Sequence, residues 1–150
     1  MKLLFQTTRA SGARPSPACL GLALLLASAA ASAQPDALLR SGEQVYLQTC
    51  VACHGAGVAG APRFGDRKTW RPLIAEGQPV LTSHAWVGVR GMPAKGGRDD
   101  LTLEEFARAV AYMAREAGAH WQDPDARMLD RMEAEAKKRR AALARRSRPD

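Results

Sequence analysis

The stretch Cys50-Val51-Ala52-Cys53-His54 decides what this 150-residue chain folds around. Two cysteines separated by two residues and followed directly by a histidine are typical of covalent haem attachment. Each thiol forms a thioether with one haem vinyl group, and the histidine is the proximal iron ligand. The motif occurs once. The sequence therefore predicts one covalently bound haem c, with Cys50, Cys53 and His54 as binding residues and His54 as a metal ligand.

Two other uses of the same residues stay open at this point. A zinc site built from Cys50, Cys53 and His54 needs a fourth ligand, and the only other histidines are His84 and His120. A thioredoxin-like dithiol follows a strand and opens a helix, whereas the residues before Cys50 indicate a helix. The flanking sequence favours haem over both alternatives.

Residues 1–33 have the pattern of a cleavable secretory signal peptide. Lys2, Arg9 and Arg14 form a basic start without acidic residues, an apolar block covers residues 18–30, and Ala31-Ser32-Ala33 fits a small-x-small cleavage site. The block is shorter than the roughly 20 residues that a membrane span needs, which disfavours a retained anchor. We therefore expect export to the periplasm.

Export changes both the charge and the cysteine count. The whole chain has 22 Lys and Arg against 15 Asp and Glu, a net charge of +7. Residues 1–33 hold three of the bases and none of the acids, so 19 bases and 15 acids remain, or +4. Cys19 leaves with the same segment, which makes Cys50 and Cys53 the only cysteines. Exported thiols usually form disulfides, and attachment of haem to both sulfurs explains this isolated pair. Export also argues against a nucleic-acid partner.

The mature chain divides into a compact region and a charged extension. Residues 34–121 are of single-domain size but small, and a core of that size often depends on a cofactor. Residues 122–150 begin with Gln122-Asp123-Pro124-Asp125 and are rich in charge. No segment shows convincing strand alternation. We expect an all-α fold of short helices around one haem, followed by a helical or disordered tail.

Capping boxes mark the starts of two helices. Ser41-Gly42-Glu43-Gln44 begins one that runs towards Cys50, which puts the attachment motif at its C-terminal end. Thr102-Leu103-Glu104-Glu105 begins another, and Gly118 is a natural stop for it. Two shorter helices are expected at about 67–75 and 80–87.

Other motifs accompany the attachment site in order along the chain. They are Ser41-Gly42-Glu43-Gln44-Val45-Tyr46, Gly60-Ala61-Pro62-Arg63-Phe64-Gly65-Asp66, Trp70, Gly91-Met92-Pro93, Lys95-Gly96-Gly97 and Ala109-Val110-Ala111-Tyr112-Met113. Together with the Cys50–His54 motif they resemble class I c-type cytochromes, particularly small bacterial monohaem cytochrome c5-like proteins. The resemblance covers nearly all of residues 36–118. Many cytochrome c5 proteins carry a second cysteine pair where this chain has Arg98, Asp99 and Asp100.

The resemblance implies roles for residues around the haem. Met92, in a Gly-Met-Pro sequence, matches the distal iron ligand, a soft thioether that favours ferrous iron. His84 is the competing candidate for that position. Pro62 matches a proline whose carbonyl accepts the free N–H of the proximal histidine. Trp70 matches an aromatic that packs at the haem edge and donates its indole N–H to a propionate. Gly42 matches a glycine that lets the first and last helices cross closely.

The same resemblance implies a one-electron carrier that exchanges electrons with donor and acceptor redox proteins at the haem edge. With His54 and Met92 both bound, no coordination site is open to a substrate, so the protein is expected not to be an enzyme. The alternatives are a haem sensor or a peroxidase-like enzyme from which Met92 dissociates, and a zinc or dithiol module.

The charged tail is the part that the resemblance does not explain. Glu133 and Glu135 stand four residues before Lys137 and Arg139, a spacing that supports a solvated helix. Its apolar positions are sparse and mostly alanine, which predicts an extension without a partner. The alternative is an electrostatic docking arm for an acidic redox protein or an anionic membrane surface.

Overall fold

Helices account for most of residues 39–148, the part of the chain that the computed structural model describes. In chain order they are α1 (Gly42–Val45), a π-helical turn (Tyr46–Cys50), α2 (Val51–His54), a 3-10 turn (Val58–Gly60), α3 (Arg67–Ile74), α4 (Gln78–Val87), a second 3-10 turn (Ala94–Gly97), α5 (Leu103–Glu116) and α6 (Ala126–Arg146). The prediction of an all-α fold is confirmed. No helix within residues 39–148 has both the length and the apolar character that crossing a membrane requires. The predicted signal peptide, residues 1–33, lies outside the described residues.

Both predicted capping boxes are present. At the start of α1 the N–H of Gln44 donates to Ser41 Oγ (3.1 Å) and the N–H of Ser41 donates to Gln44 Oε1 (2.8 Å). At the start of α5 the N–H of Glu105 donates to Thr102 Oγ1 (3.2 Å) and the N–H of Thr102 donates to Glu105 Oε2 (3.1 Å). Glu105 also accepts from Nε of Arg40 at 2.8 Å. The last contact ties the residues that precede α1 to the first turn of α5.

The segment that begins with α1 crosses α5 at close range at Gly42. A Cβ atom on Gly42 would overlap the backbone carbonyl of Arg108 and would lie 3.0 Å from Cβ of Tyr112. One turn further on, the ring of Tyr46 stacks on Phe64, with centroids 4.3 Å apart, and lies 5.7 Å from the ring of Tyr112. The close crossing that the resemblance implies is therefore present, and it needs a residue without a side chain.

One apolar cluster joins α1, the π-helical turn, α3, α4 and α5. Its buried members are Val45, Tyr46, Cys50, Trp70, Ala85, Leu101, Phe106, Ala109, Val110, Met113, Ala114 and Ala117. Met92 and Trp86 are partly buried and pack against it. The cluster thus contains one cysteine of the attachment motif and, at its margin, the methionine expected to bind iron.

The C-terminal helix α6 packs along α4. The side chains of Met132 and Ala136 are 0% and 1% exposed. The buried hydroxyl of Ser83 lies 2.8 Å from the carbonyl oxygen of Met132, and Nε2 of Gln78 donates to the carbonyl of Gln122 at 2.8 Å. The tail is helical, one of the two forms predicted for it. The expectation that this helix is solvated is wrong along this face, because Met132 and Ala136 are buried and the Ser83 side chain of α4 contacts the backbone of α6.

Candidate functional site

A π-helical turn positions the two cysteines of the motif. Within it the N–H of Val51 donates to the carbonyl of Tyr46, five residues back, so the helix holds one residue more than an α-helical turn would. One extra residue rotates everything that follows by about 100°, given 3.6 residues per α-helical turn. In this arrangement Cys50 faces the apolar cluster and Cys53 faces solvent. Turns of this kind are frequent at functional sites.

The two thiols differ in environment and are not joined as a disulfide. Cys50 is 8% exposed, and its burial raises the pKa of the thiol to about 11. This environment suits a neutral thioether better than the ionised sulfur that a zinc ligand requires. Within residues 39–148 no three His, Cys, Asp or Glu side chains come together as a metal-binding group. The surroundings of Cys50 therefore favour haem attachment over the zinc alternative.

The imidazole of His54 is oriented by a backbone carbonyl. Its Nδ1 lies 2.8 Å from the carbonyl oxygen of Pro62, the contact that the resemblance implies. A carbonyl only accepts, so Nδ1 carries the proton and the lone pair of Nε2 is free to bind a metal. The N–H of Phe64 donates to the carbonyl of His54 at 2.7 Å, which fixes the backbone of the same residue. The ring is held in one tautomer and one orientation before any ligand binds.

Trp70 lies beside this histidine in the apolar cluster. Its ring centroid is 6.3 Å from that of His54, and its side chain is buried. The indole N–H donates to the carbonyl of Arg63 at 2.8 Å. The single N–H of the indole therefore has a protein acceptor in this structure. Contact of Trp70 with the haem edge and with a propionate stays a prediction.

Met92 lies in the loop between α4 and α5. Its N–H donates to the carbonyl of Val89 at 2.9 Å, and the N–H of Val89 donates back to the carbonyl of Met92 at 3.1 Å. Further along the loop, a Cβ on Gly96 would lie 3.5 Å from Cγ2 of Thr49, the residue before Cys50. The loop thus approaches the segment that carries the attachment motif, while the Met92 side chain packs on the cluster that contains Cys50.

His84, the competing distal ligand, lies on a different side of α4. Its Nδ1 is 2.9 Å from Oε2 of Glu76. It also borders a groove of about 360 Å³ whose other wall is formed by α6 residues, including Lys138 and Arg139. The structure brings Met92, rather than His84, to the apolar cluster with Cys50.

These residues together fit the attachment of haem c. Two unpaired thiols, an imidazole with a free Nε2 and a methionine sulfur in apolar surroundings are the groups that the cofactor requires. The sequence did not predict the role of Arg139 of α6, whose guanidinium donates to the carbonyl of Gly88 at the start of the Met92 loop. An arginine within a run of four bases gives no sign of such a contact.

The chain is similar to several known proteins over its central part. A family model described as cytochrome C oxidase, cbb3-type, subunit III matches residues 37–113, just over half of the chain. Cytochrome c-555 of Chlorobaculum tepidum is 40% identical over 102 residues, which are 65% of this chain and 91% of that protein. Cytochrome c5 of Ectopseudomonas mendocina is 37% identical over 77 residues, or 50% of this chain and 88% of that protein. The family match ends before α6 begins.

A solved structure matches the same part of the chain. It is described as an electron transfer complex of nitrite reductase with cytochrome c, and the matching chain is 39% identical, with coverage of 51% of this chain and 93% of that one. The TM-score is 0.49, which is too low to support a conclusion about fold or partner.

Proposed function

Because the chain belongs to the class I cytochrome c family, we propose that it is a one-electron carrier whose single haem c is bound axially by His54 and Met92. Haem c, covalently bound, is its cofactor and supplies a ferric and ferrous couple that takes up and releases one electron. The observation that carries the proposal is the 2.8 Å contact between Nδ1 of His54 and Pro62, because it leaves Nε2 for the iron.

Met92 is proposed as the second axial ligand. Its loop is closed by the pair of hydrogen bonds with Val89, and Gly96 brings the same loop against Thr49 beside the attachment motif. A thioether stabilises ferrous iron and raises the reduction potential relative to a second imidazole. His84, held by Glu76 and next to α6, is less suited to the role.

The carrier function follows from this ligand set. With His54 and Met92 both bound, no coordination position of the iron would be open to a substrate, and the contact with Pro62 would hold His54 in one orientation. A fixed ligand geometry reduces the reorganisation that accompanies electron transfer. We therefore propose electron exchange with donor and acceptor redox proteins and no enzymatic turnover.

The proposed exchange surface is the exposed part of the first helical segment, which carries Cys53. Cys53 is exposed there, and Leu47 and Val51 on the same segment are 59% and 38% exposed. Exposed apolar side chains of this size often mark surfaces that bind another protein. We propose that a redox partner docks over this surface, so that the electron crosses beside the thioether of Cys53.

The C-terminal end of α6 is proposed to steer that partner. Residues 137–148 contain seven bases and no acid. Such a charge density attracts an acidic protein surface over about one Debye length, roughly 8 Å at physiological salt. We propose an acidic redox protein as the partner, and binding to vesicles of anionic lipid but not to acidic proteins would contradict this choice.

The proposed location is the periplasm, reached through the signal peptide at residues 1–33. Support comes from the basic start, the apolar block and the Ala31-Ser32-Ala33 site. N-terminal sequencing or intact mass of the exported protein tests this directly. A mature chain that begins near Gln34 supports cleavage, and a chain that retains residues 18–30 contradicts it.

Optical and near-infrared spectra of the purified exported protein test the ligand set. The native protein is expected to give a c-type pyridine haemochrome, low-spin bands and the weak near-infrared band of sulfur bound to ferric iron. Met92→Ala should keep covalent haem, lose the near-infrared band and lower the potential on the order of 0.1 V, within the range over which axial ligands tune haem. His84→Gln is the matched control, and it should keep both the near-infrared band and the reduction potential of the native protein.

Three results would contradict the proposal. A near-infrared band that survives in Met92→Ala assigns the sulfur ligand to another methionine, and a low-spin native protein without the band assigns the position to a residue other than methionine, such as His84. A high-spin or five-coordinate native protein favours the sensor or peroxidase-like alternative. Absence of a covalent haem band would support the alternative in which Cys50 and Cys53 belong to a zinc or dithiol module.

A further inference from the structure

The C-terminal helix contacts the backbone at the start of the Met92 loop. Arg139 of α6 donates from Nη2 to the carbonyl oxygen of Gly88 at 2.9 Å and from Nε to the same oxygen at 3.3 Å. Two N–H groups of one planar guanidinium thus converge on a single acceptor. A lysine ammonium has no equivalent planar pair, so the contact depends on arginine in particular.

Gly88 is the residue through which α4 leads into the loop. It caps the end of α4 with φ +98°, and its own N–H donates to the carbonyl of Ala85 at 3.3 Å. A Cβ at this position would lie 3.3 Å from the carbonyl oxygen of Met92 and 3.1 Å from the nitrogen of Ala94. The backbone of Gly88 therefore lies close to that of Met92 and Ala94, and its carbonyl shares a peptide unit with the N–H of Val89 that donates to the carbonyl of Met92.

The loop needs support from outside itself. Arg90 and Lys95 are both in the left-handed region, with φ +54°, although neither is a glycine. Within residues 88–92 the only regular backbone pairing is the isolated bridge between Val89 and Met92. At its other end the ammonium of Lys95 lies 4.8 Å from the ring centroid of Trp86. The Lys95 contact holds the end of the loop, and the Arg139 contact holds its beginning.

The position of Arg139 is fixed by the packing of α6 on α4. Earlier residues of α6 are fixed on α4 through the buried side chains of Met132 and Ala136 and through the contact of Ser83 with the carbonyl of Met132. Arg139 follows Met132 by seven residues, two turns along the same helix face. The packing of α6 on α4 therefore places the guanidinium of Arg139 next to the carbonyl of Gly88.

We propose that Arg139 is a positioning residue that holds the Met92 loop closed, so that α6 controls how readily the methionine leaves the iron. This inference rests on the proposed ligation of iron by Met92. It gives the C-terminal extension a second role, independent of its net charge, since only one of its bases makes the contact.

Hydrogen exchange of the full-length haem protein tests the contact. Arg139→Lys keeps the charge and removes the converging pair of donors. We expect the amides of Val89 and Met92, which donate to each other's carbonyls, to exchange about tenfold faster, the fold-change that corresponds to a net loss of about 1.4 kcal/mol for a charged hydrogen bond. Arg140→Lys, at an exposed neighbouring position, is the matched control and should leave both rates unchanged.

A second readout follows the ligand itself. Imidazole added to the ferric protein competes with Met92 for iron, and its apparent affinity should rise about tenfold in Arg139→Lys and not in Arg140→Lys, because a loosened loop releases the methionine more often. Unchanged exchange at Val89 and Met92 would overturn the inference. Equal acceleration of amides in α5, such as that of Val110, would also overturn it, because Arg139 would then contribute only to general stability.

The two proposals fail in distinguishable ways. If the native protein lacks the near-infrared band, ligation by Met92 is wrong, and the exchange rates of Val89 and Met92 still decide whether Arg139 holds the loop. If the band is present but imidazole affinity is the same in both variants, the ligation is retained and control by α6 is refuted.

Discussion

Replacement of Glu105 by glutamine isolates the charge of one buried carboxylate. Glu105 accepts hydrogen bonds from Nε and Nη2 of Arg40 at 2.8 and 3.1 Å and from the N–H of Thr102. The Arg40 guanidinium, more than any other neighbour, lowers the pKa of this carboxyl from 4.5 to about 2. Glutamine can occupy the same position of a capping box, so Glu105→Gln removes the ion pair and leaves the cap in place.

The lowered pKa of Glu105 sets the size of its contribution to the free energy of unfolding and the direction in which that contribution changes with pH. Two and a half pKa units at 1.36 kcal/mol each give an upper limit of about 3.4 kcal/mol. The Arg40 side chain is 27% exposed, and screening by water reduces the expected loss to about 1.5–2 kcal/mol. Because the folded-state pKa is the lower one, this stability is present above pH 4.5 and is lost as the pH falls through about 2, with about two fifths left at pH 3.

Urea denaturation of the haem protein at pH 7 and pH 3 measures this contribution. Glu105→Gln should be less stable than the native protein by about 1.5–2 kcal/mol at pH 7, and by less than half of that at pH 3. Glu104→Gln, which alters a partly buried i,i+4 pair with Arg108 on the same helix, should cost about 0.5 kcal/mol at pH 7. A loss for Glu105→Gln that is the same at both pH values would refute the assignment to charge.

Two further substitutions test the packing and the exchange surface. Gly42→Ala places a methyl group on the carbonyl of Arg108. It should lower the free energy of unfolding in urea by about 2 kcal/mol, despite the better helix propensity of alanine. An unchanged free energy of unfolding would show that the two helices separate freely. Leu47→Glu should slow electron self-exchange between ferric and ferrous copies, measured by NMR line broadening, about threefold or more, whereas Leu143→Glu makes the same charge change on α6 and should have a much smaller effect. Equal rates for these two variants would place the exchange surface elsewhere.

Local signals in the sequence predicted much of the fold. The capping boxes at Ser41 and Thr102 are side chain to backbone contacts within one turn, so they depend on nothing distant in the chain. The contact of His54 with Pro62 spans eight residues and followed from the family resemblance. Helix α4 begins at Gln78, two residues earlier than expected, because Pro79 is accommodated in its first turn.

The docking of α6 could not be predicted in the same way. The buried surface of α4 towards α6 includes the polar residues Gln78 and Ser83, and the buried positions of α6 are Met132 and Ala136. Neither helix shows the apolar stripe from which packing is normally inferred. The specificity lies in polar contacts between side chains and backbone carbonyls 44 to 51 residues away. A sequence pattern does not indicate which distant carbonyls will serve as acceptors.

The π-helical turn at Tyr46–Cys50 makes the length of the first helical segment as important as its composition. Gly42 on one side of the turn must face Arg108, while the Cys50–His54 motif on the other must keep the orientation in which Cys50 is buried and His54 contacts Pro62. Deletion of a single residue between Tyr46 and Thr49 would restore regular α-helical spacing and turn the motif by about 100° relative to Gly42. This stretch should therefore accept many exchanges of side chain during evolution, at exposed Gln48 for instance, and no change in the number of residues.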